Sequence, residues 1–574
     1  MMRQLILFFA LCTFSSVLYA QDANPAEKTK YWIFLTDKLD ASGKQTQMEE
    51  SYLSDQALSR RTLRGEVDRS LQFRLQDAPI SPIYEANLIY QGIKIKQHSR
   101  WLNAVTAYLS EDQVVPISTL PYVKEVRPVK HVAPHVEPSI PVSPVIPQRV
   151  SANCPSSKYG RSCTQLDVVN AIPAIEEGIN GTGVWLGFID THYNTDRNAQ
   201  PFNHPSLRHI PDSGRLMDVR DFTERDSSQP CLSWDNHGMD VASVAVSYSE
   251  GSLIGPGHGA TIFGATTECV PYERNIEEDN YVAAVEWLES EGVDVITASL
   301  GYRDFDEGQR SYTPDELDGD TGLTTIALDL ATQRGVVTVN SAGNEGPRPQ
   351  TITTPADGDS VIAAGGIRST RSVWSRSSRG PTSDNRVKPD VSAMASGVSV
   401  ASPSFLGVSG TSFSAPMIAG IVTQILEVNP DLKPREVWHL LTSTASQALA
   451  PDNNLGWGIV DAYSAIKAAQ SLALNRSNDP SLPSGKLMIH PPYPNPFNGV
   501  VHFTIESIEP VQHARLSIYD VLGRKVATIY EGPIQSGGFP IQFDGHGLSP
   551  GVYAYNLEYE GRAQSGTITH IGYK

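Results

Sequence analysis

The sequence predicts an α/β protein: a central domain with a parallel β-sheet, an α+β domain before it and an all-β, immunoglobulin-like sandwich behind it. Between residues 160 and 472, short apolar runs alternate with amphipathic stretches, which is typical of a parallel sheet with helices on both faces. Residues 486–574 instead alternate polar and apolar side chains between turn residues, as the strands of a sandwich do. The length of 574 residues suits three or four domains of about 150 residues each.

Residues 1–20 predict a secretory signal peptide. Arg3 is followed by an apolar run and then by small and polar residues up to Ala20, where cleavage is expected. A membrane anchor is the alternative, but spanning a bilayer takes about 20 apolar residues. No other segment reaches that length, so we expect no transmembrane anchor.

Residues 21–132 predict a small α+β domain, because short strands alternate with helices. The predicted elements are strands at 31–35, 87–95 and 101–108, a helix at 54–64 and a further short unit at 117–129. Residues 133–153 follow as a linker. Their Pro-rich sequence has no apolar periodicity, so the linker is expected to be extended, exposed and open to proteolytic processing.

The negative charge is concentrated in the central part of the chain. Residues 133–485 carry 23 Lys and Arg against 42 Asp and Glu, whereas both flanking regions are nearly neutral. A strongly acidic domain repels nucleic acid and anionic lipid, so neither is expected as a partner. The same charge suits solubility, cation sites or basic substrates, and the sequence leaves these three open.

Four of the five cysteines lie beyond the signal peptide: Cys154, Cys163, Cys231 and Cys269. They lack the close spacing of zinc ligands, and an exported chain enters an oxidising compartment, so disulfides are favoured over a metal site. Cys154 and Cys163 are nine residues apart in a segment that permits a tight loop, and we expect them to pair. Cys231 and Cys269 are then the remaining pair.

The central domain, bounded as residues 154–474, shows apolar runs that predict strands and helical stretches between them. The expected strands are 183–189, 260–265, 293–300, 335–339 and 360–364, and the expected helices are 280–291, 324–334 and 412–428. Functional groups of an open parallel sheet lie at the carboxyl ends of its strands. A polar linker at 475–485 separates this domain from the C-terminal sandwich, 486–574.

Four polar residues stand where such functional groups are expected. Asp190 ends a predicted strand, Asn344 follows another, and His237 opens a helix of small residues. Ser412 precedes an apolar helix, where unpaired N–H groups and the helix dipole create a positive field. Taken singly, each residue has an ordinary structural alternative: a cap, a turn or a structural histidine.

Together, the four residues fit one reaction. A serine hydroxyl needs a neighbouring base to act as a nucleophile, a histidine exchanges protons near neutral pH, and a carboxylate orients the imidazole. The sequence therefore predicts that Ser412 attacks a carbonyl carbon, with His237 as the base and Asp190 as its partner. The side chain of Asn344 and the backbone N–H of Ser412 are the expected oxyanion donors.

These residues lie in motifs that resemble those of the subtilisin-like serine proteases, the subtilases. The order Asp, His, Ser along the chain is that of subtilisin, and residues 410–416 (GTSFSAP) resemble the nucleophile motif of the family. The resemblance covers residues 160–472 through further motifs at 189–191, 237–238, 342–346, 377–381, 388–391 and 456–462. It implies a secreted serine endopeptidase that acts on polypeptides and needs no cofactor for catalysis. The acidic surface is compatible with structural calcium, but no metal ligand can be named.

The resemblance also implies where a substrate binds. One segment resembles the edge that pairs with the substrate backbone, and a second is expected to complete the primary specificity pocket; together they comprise Ser299, Leu300, Gly301, Ala342 and Gly343. Thr353 is expected near the base of that pocket.

Three residues depart from the pattern of the family. Met239 and Asp240 stand where Thr and His are usual, and His192 stands where a glycine is usual. Asp240 could raise the pKa of His237 or compete for its hydrogen bond. Two rival functions therefore stay open: a subtilase-fold binding protein with a compromised triad, and a surface adhesin whose sandwich carries the function.

Both flanking domains also resemble known families. Residues 30–130 resemble a subtilase propeptide, which implies a folding aid and temporary inhibitor whose tail is cut in the linker; an unrelated accessory domain is the alternative. Motifs at 493–498, 519–526 and 551–553 resemble the C-terminal sorting domain of the type IX secretion system. That resemblance implies a Gram-negative bacterium of the Bacteroidetes or a relative, and a protein that is secreted or attached to the outer-membrane surface. An ordinary substrate-binding sandwich is the alternative.

Overall fold

The computed structural model describes residues 28–572 with gaps at 47–51, 66–74, 130, 133–154, 195–198, 224–234, 269–275, 303–311, 402–406, 479–486, 490–491, 493–494, 496, 508–509, 521–523, 536 and 561. The predicted signal peptide and the Pro-rich linker therefore lie outside the described residues.

The N-terminal domain is a four-stranded antiparallel sheet with helices, in the strand order β2-β3-β1-β4. Its elements are β1 (Thr29–Leu35), α1 (Asp55–Arg64), α2 (Pro82–Tyr90), β2 (Ile95–Ser99), β3 (Ala104–Leu109), α3 (Glu111–Ser118), β4 (Val123–Pro128) and β5 (His131–Val132). The last of these, β5, leaves the domain and pairs antiparallel with β11 (Ile276–Glu277) of the central domain. The α+β prediction is therefore confirmed.

The predicted strand at 87–95 is wrong, because most of that segment belongs to helix α2. The Ser81 side chain accepts a hydrogen bond from the Tyr84 N–H, and Pro82 occupies the first turn, so the helix starts upstream of the apolar run Asn87–Tyr90. A window that begins at Asn87 misses both start signals. The strand of this region is β2, which begins at Ile95.

The central domain is built on a seven-stranded, wholly parallel sheet in the order β15-β14-β13-β12-β6-β10-β7. The strands of this domain include these seven and five others that form short two-stranded pairs outside the main sheet. In chain order, they are β6 (Trp185–Asp190), β7 (Leu216–Asp221), β8 (Tyr248–Ser249), β9 (Leu253–Ile254), β10 (Thr261–Thr266), β11, β12 (Val295–Ala298), β13 (Val337–Ser341), β14 (Ile362–Ile367), β15 (Val391–Met394), β16 (Ser396–Ser399) and β17 (Gly407–Ser409). Its helices are α4 (Ser156–Tyr159), α5 (Cys163–Val168), α6 (Ile172–Glu176), α7 (His209–Asp212), α8 (His237–Val246), α9 (Glu278–Glu291), α10 (Leu323–Gln333), α11 (Ser414–Val428), α12 (Pro434–Thr444) and α13 (Ala462–Asn478). The parallel-sheet prediction is confirmed.

Two apolar layers fill the space on either side of this sheet. Helices α8, α11 and α13 pack in one layer, and α9 and α10 pack in the other. The second layer also contains Trp32 and Trp101 of the N-terminal domain, so the two domains share a core. Within the described residues, one segment, Thr411–Val428, is long and apolar enough to cross a membrane, but 83% of it is buried inside the domain.

The C-terminal domain consists of a three-stranded sheet, β18-β19-β22, and a four-stranded sheet, β21-β20-β23-β24, whose pairs are all antiparallel. The strands are β18 (Leu487–Ile489), β19 (Val500–Ser507), β20 (Val511–Tyr519), β21 (Lys525–Ile534), β22 (Gly537–Asp544), β23 (Gly551–Tyr559) and β24 (Arg562–His570). One apolar cluster, including Phe503, Leu516 and Leu557, forms its core. The predicted all-β fold is confirmed.

Candidate active site

Asp190 and His237 form a hydrogen-bonded pair at the carboxyl edge of the sheet. Asp190 is the last residue of β6, and its side chain is fully buried. The His237 Nδ1–H donates to Asp190 Oδ1 at 2.7 Å, and the Thr191 N–H donates to the same oxygen at 2.7 Å. Because Nδ1 carries the proton toward the carboxylate, Nε2 of the neutral ring is left as the basic nitrogen.

His237 is held by its own backbone as well as by its ring. The His237 N–H donates to Asp235 Oδ1 at 2.7 Å, and the Gly238 N–H donates to Thr191 Oγ1 at 2.9 Å. A Cβ atom at Gly238 would lie 2.9 Å from the Thr191 carbonyl oxygen, so only glycine lets α8 start this close to the end of β6. The local sequence therefore fixes the histidine beside the aspartate.

The charges around His237 favour its protonated form. Burial alone would lower the pKa of His237, but Asp190, with smaller contributions from Asp235 and Asp240, raises it to about 9. Burial raises the pKa of Asp240 to about 7, against the opposing effect of His237. Asp240 does not displace Asp190, because the bond from Nδ1 goes to Asp190.

Ser412 lies in a single 3-10 turn, Thr411–Phe413, immediately before α11. Its hydroxyl donates to the Ser299 carbonyl oxygen at 3.4 Å, and the Ser299 hydroxyl donates to the Ser412 carbonyl oxygen at 2.7 Å. The ring of His237 lies 5.8 Å, centroid to centroid, from the ring of the next residue, Phe413. Within the described residues, the Ser412 hydroxyl makes no hydrogen bond to His237.

The carboxamide of Asn344 is oriented by Thr411. Asn344 Oδ1 accepts from the Thr411 N–H at 2.9 Å and from the Thr411 hydroxyl at 3.0 Å. With its oxygen engaged, the amide presents Nδ2 on its other side. A Cβ atom at Gly410 would lie 3.7 Å from this nitrogen and 3.5 Å from Ser412 Oγ, so the two groups flank the same small space.

The predicted substrate residues meet beside this space. A Cβ atom at Gly301 would lie 2.4 Å from Thr353 Oγ1, and one at Gly343 would lie 3.0 Å from Thr353 Cγ2. Thr353 therefore lies between the two glycines, against both predicted segments. Leu300 and Ala342 are buried next to these glycines.

Sequence reasoning missed three residues that hold the site together. Thr191 and Asp235 position the start of α8, and Thr411 orients Asn344. Thr411 lies inside the nucleophile motif, and an aspartate two residues before a helix start is a common partner for backbone N–H groups. Thr191 lies inside the motif at 189–191, so a signal for each of the three residues is present in the sequence.

Cys163 takes part in a disulfide, whereas Cys154, Cys231 and Cys269 lie outside the described residues. The predicted pairing stays a prediction. Among the described residues, no group of three or more His, Cys, Asp or Glu side chains is arranged to hold a metal ion.

Three family models match successive parts of the chain. The subtilase family matches residues 181–458, and the peptidase S8 propeptide domain of Bacteroidota matches residues 30–140. The secretion system C-terminal sorting domain matches residues 492–569. Each match coincides with one of the three domains of the fold.

Individual relatives agree with these matches. The chain is 28% identical over 327 residues to the serine protease AprX of Bacillus subtilis, covering 50% of this chain and 67% of the relative. It is 34% identical over 194 residues to subtilisin DY of Bacillus licheniformis, covering 32% of this chain and 61% of the relative. The subtilisin-like protease SBT6.1 of Arabidopsis thaliana is 26% identical over 54% of this chain, and the match spans 28% of that longer protein.

A solved structure shows the same fold. The epidermin leader peptide processing serine protease of Staphylococcus aureus superposes with a TM-score of 0.54 at 13% identity, covering 77% of this chain and all of that one. The chain therefore belongs to the subtilase family: it is a subtilisin-like serine protease with a Bacteroidota S8 propeptide domain and a C-terminal secretion-system sorting domain.

Proposed function

We propose that the protein is a secreted serine endopeptidase that hydrolyses peptide bonds through Asp190, His237 and Ser412, with Asn344 in the oxyanion hole. The observation that carries this proposal is the 2.7 Å hydrogen bond between the His237 ring and the buried Asp190 carboxylate. That bond leaves the second ring nitrogen as a base, in a domain whose family hydrolyses peptides by this chemistry. The usual structural roles of a buried histidine do not require such a partner.

In the first step, His237 Nε2 takes the proton of Ser412 as the serine oxygen bonds to the scissile carbonyl carbon. The Asp190 carboxylate stabilises the resulting imidazolium, which then donates the proton to the leaving amine. Water, activated by the same histidine, hydrolyses the acyl-enzyme and restores the serine. The hydroxyl turns from the Ser299 carbonyl toward the histidine for this reaction, since active-site hydrogen bonds of a free enzyme often tighten only with substrate.

The carbonyl oxygen of the substrate becomes negatively charged when Ser412 attacks. The Asn344 Nδ2 and the backbone N–H of Ser412 donate hydrogen bonds to this oxygen. The Asn344 carboxamide is already oriented for this, because its own oxygen accepts hydrogen bonds from Thr411. Loss of one such donor costs about 10²–10³-fold in kcat, a value measured in subtilisin itself.

The flanking domains give the enzyme its maturation and its destination. The N-terminal domain acts as a temporary inhibitor whose tail is cut within residues 133–153. The pairing of β5 with β11 supports this role, because it attaches the strand just before that segment to the catalytic domain. The C-terminal domain is recognised by the type IX secretion machinery, so the mature enzyme is released or stays at the outer-membrane surface.

Peptide hydrolysis by purified variants tests this proposal. Ser412→Ala should abolish turnover, and a chain that processes itself should then stall as the uncut precursor. The matched control is Ser409→Ala, because this serine lies three residues away, on β17, and its hydroxyl contacts Ser396 and Gly397 instead. Normal turnover in Ser412→Ala would overturn the assignment, and an inactive wild-type chain would favour the binding-protein alternative.

A further inference from the structure

Two contacts between the propeptide domain and the catalytic domain lie apart from the β5–β11 pairing. At the first, the sheet of the propeptide domain covers α9, where the buried Asp279 carboxylate accepts from the Lys30 amine at 2.8 Å and the Thr106 hydroxyl at 2.6 Å. At the second, helix α1 lies across the carboxyl ends of α9 and α10. The residues there, Asp294 and Gly335, come just before β12 and β13, so α1 sits at the opposite edge of the sheet from the active site.

Arg60 is the centre of the second contact. It is fully buried, and its guanidinium donates to three backbone carbonyls: Val293 at 2.6 Å, Glu289 at 3.0 Å and Arg334 at 3.3 Å. It also pairs with the Glu289 carboxylate. These carbonyls belong to the ends of α9 and α10, where helices leave acceptors unpaired and carry partial negative charge. One propeptide side chain thus caps two catalytic-domain helices.

The neighbours of Arg60 extend this contact along the whole of α1. Arg61 binds the Glu289 carboxylate at 2.6 Å, and Arg64 pairs with Asp294, which also accepts from the Trp185 N–H of β6 at 2.7 Å. At the other end of α1, the Ser54 hydroxyl donates to the Glu291 carbonyl oxygen at 2.6 Å. Salt bridges, helix caps and hydrogen bonds all cross the boundary between the domains here.

Helix α1 also packs closely against the backbone of the catalytic domain. A Cβ atom at Gly292 would lie 2.7 Å from the Ala57 backbone nitrogen, and one at Gly335 would lie 3.0 Å from the Arg64 backbone carbon. Both glycines have positive φ, 104° and 89°, so they end α9 and α10 in a conformation that favours glycine and leaves room for α1. The catalytic domain therefore presents a shaped surface to this helix.

We propose that the carboxyl ends of α9 and α10 form a docking surface for α1 that retains the propeptide on the catalytic domain after the linker has been cut. Among the residues that the structure describes, none of the α1 contacts named above involves β5 or the active site, so cleavage within the linker removes none of these contacts. Release of the inhibitor then requires the α1 contact to open, and the lifetime of the inhibited complex depends on Arg60. This inference rests on the proposed function in one respect, namely that the linker is cut.

The test follows the cut propeptide of the full chain by size-exclusion chromatography after processing. The wild-type fragment should co-elute with the catalytic domain, whereas Arg60→Ala should dissociate about 30-fold faster or more, equivalent to about 2 kcal/mol for truncating one partner of a buried charge pair. Arg60→Lys keeps the charge but loses the three-pronged donor, so its dissociation should be intermediate. If Arg60→Ala gives no folded protein, the dissociation rate of Arg60→Lys still tests the proposal.

Two controls remove exposed side chains of the same domain. Thr62 lies on α1, and its hydroxyl forms a hydrogen bond within the helix, so Thr62→Ala removes no hydrogen bond to the part of the catalytic domain that the structure describes. Lys124→Ala removes an exposed charge on β4. Both should dissociate at the wild-type rate. Equal dissociation of wild type, Arg60→Ala and Arg60→Lys would overturn the proposal.

A second measurement does not depend on processing. In the uncut Ser412→Ala chain, amide hydrogen exchange at residues 289–293 and 331–336 should be at least about tenfold faster when Arg60 is also alanine. Unchanged exchange would contradict the docking role even in a chain that never cuts itself. Failure to cut the wild-type linker, with faster exchange in the Arg60 variant, would instead count against self-processing alone.

Discussion

At the scale of single residues, the site shows how much a motif can predict. Asp190, His237, Ser412 and Asn344 follow from strand ends and short motifs, and the structure places the first two in hydrogen-bond contact. The orientation of the Asn344 amide does not follow from the sequence, because it depends on Thr411, a residue 67 positions away that is brought to it by the fold.

Asp240 should contribute to the pH dependence of the reaction, beside the larger effect of Asp190. The reaction needs neutral His237, whose pKa is raised to about 9, so the rate should rise with pH through that value. A charged Asp240 favours the imidazolium, and Asp240→Asn removes that charge, so the acid limb of the pH–rate profile should move to lower pH. The measurement is kcat/KM across pH; an acid limb that stays in place would show that Asp240 has no electrostatic role.

Thr411 should matter to turnover more than to binding. Thr411→Val keeps the shape of the side chain but removes the hydroxyl that holds Asn344 Oδ1, so kcat should fall by about tenfold, the equivalent of one hydrogen bond, with KM little changed. Thr411→Ser retains the hydroxyl and is the matched control. A fall in both variants would point to packing instead of amide orientation.

At the scale of elements, strongly patterned segments were predictable and weakly patterned ones were not. The predicted helices at 280–291, 324–334 and 412–428 correspond to α9, α10 and α11 within a few residues. Strands β21 and β24 were not predicted, because their polar and apolar residues alternate weakly and sheet pairing decides their conformation. Helix α13 continues to Asn478, so its last residues lie within the predicted linker at 475–485.

The edge segment that follows β12 should tolerate no side chain at Gly301. A Cβ atom there would lie 2.4 Å from Thr353 Oγ1, so Gly301→Ala should displace Thr353 and reduce kcat/KM for small peptides by about tenfold or more. Adding Thr353→Gly removes the colliding hydroxyl and should restore part of the loss. Steady-state kinetics of the single and double variants check this prediction. Full activity of Gly301→Ala would contradict it, because it would show that the segment accommodates the methyl group without loss of function.

At the scale of the whole molecule, three domains divide the tasks of one protease. The propeptide domain shares an apolar core with the catalytic domain through Trp32 and Trp101, which the sequence alone could not show, because the contact joins residues about 200 positions apart. The C-terminal domain has a core of its own. Removal of the C-terminal domain should therefore leave the core of the catalytic domain intact, whereas removal of the propeptide domain would expose part of it.

Removal of the C-terminal domain should spare catalysis and abolish export. A chain that ends after residue 485 keeps α13 whole, and its turnover of a small peptide should stay within about twofold of the full chain, because a domain with its own core folds separately. In the native host, this chain should accumulate in the periplasm. Cell fractionation checks the second point, and normal export would remove the sorting role.

The central claim is that Ser412 is the nucleophile of this protease. The most direct measurement is mass spectrometry of the processed protein after reaction with a fluorophosphonate, which modifies an activated serine. The account predicts one adduct, on the peptide that contains Ser412, and none in His237→Ala. An adduct on a different serine, or none on the processed wild-type protein, would contradict it.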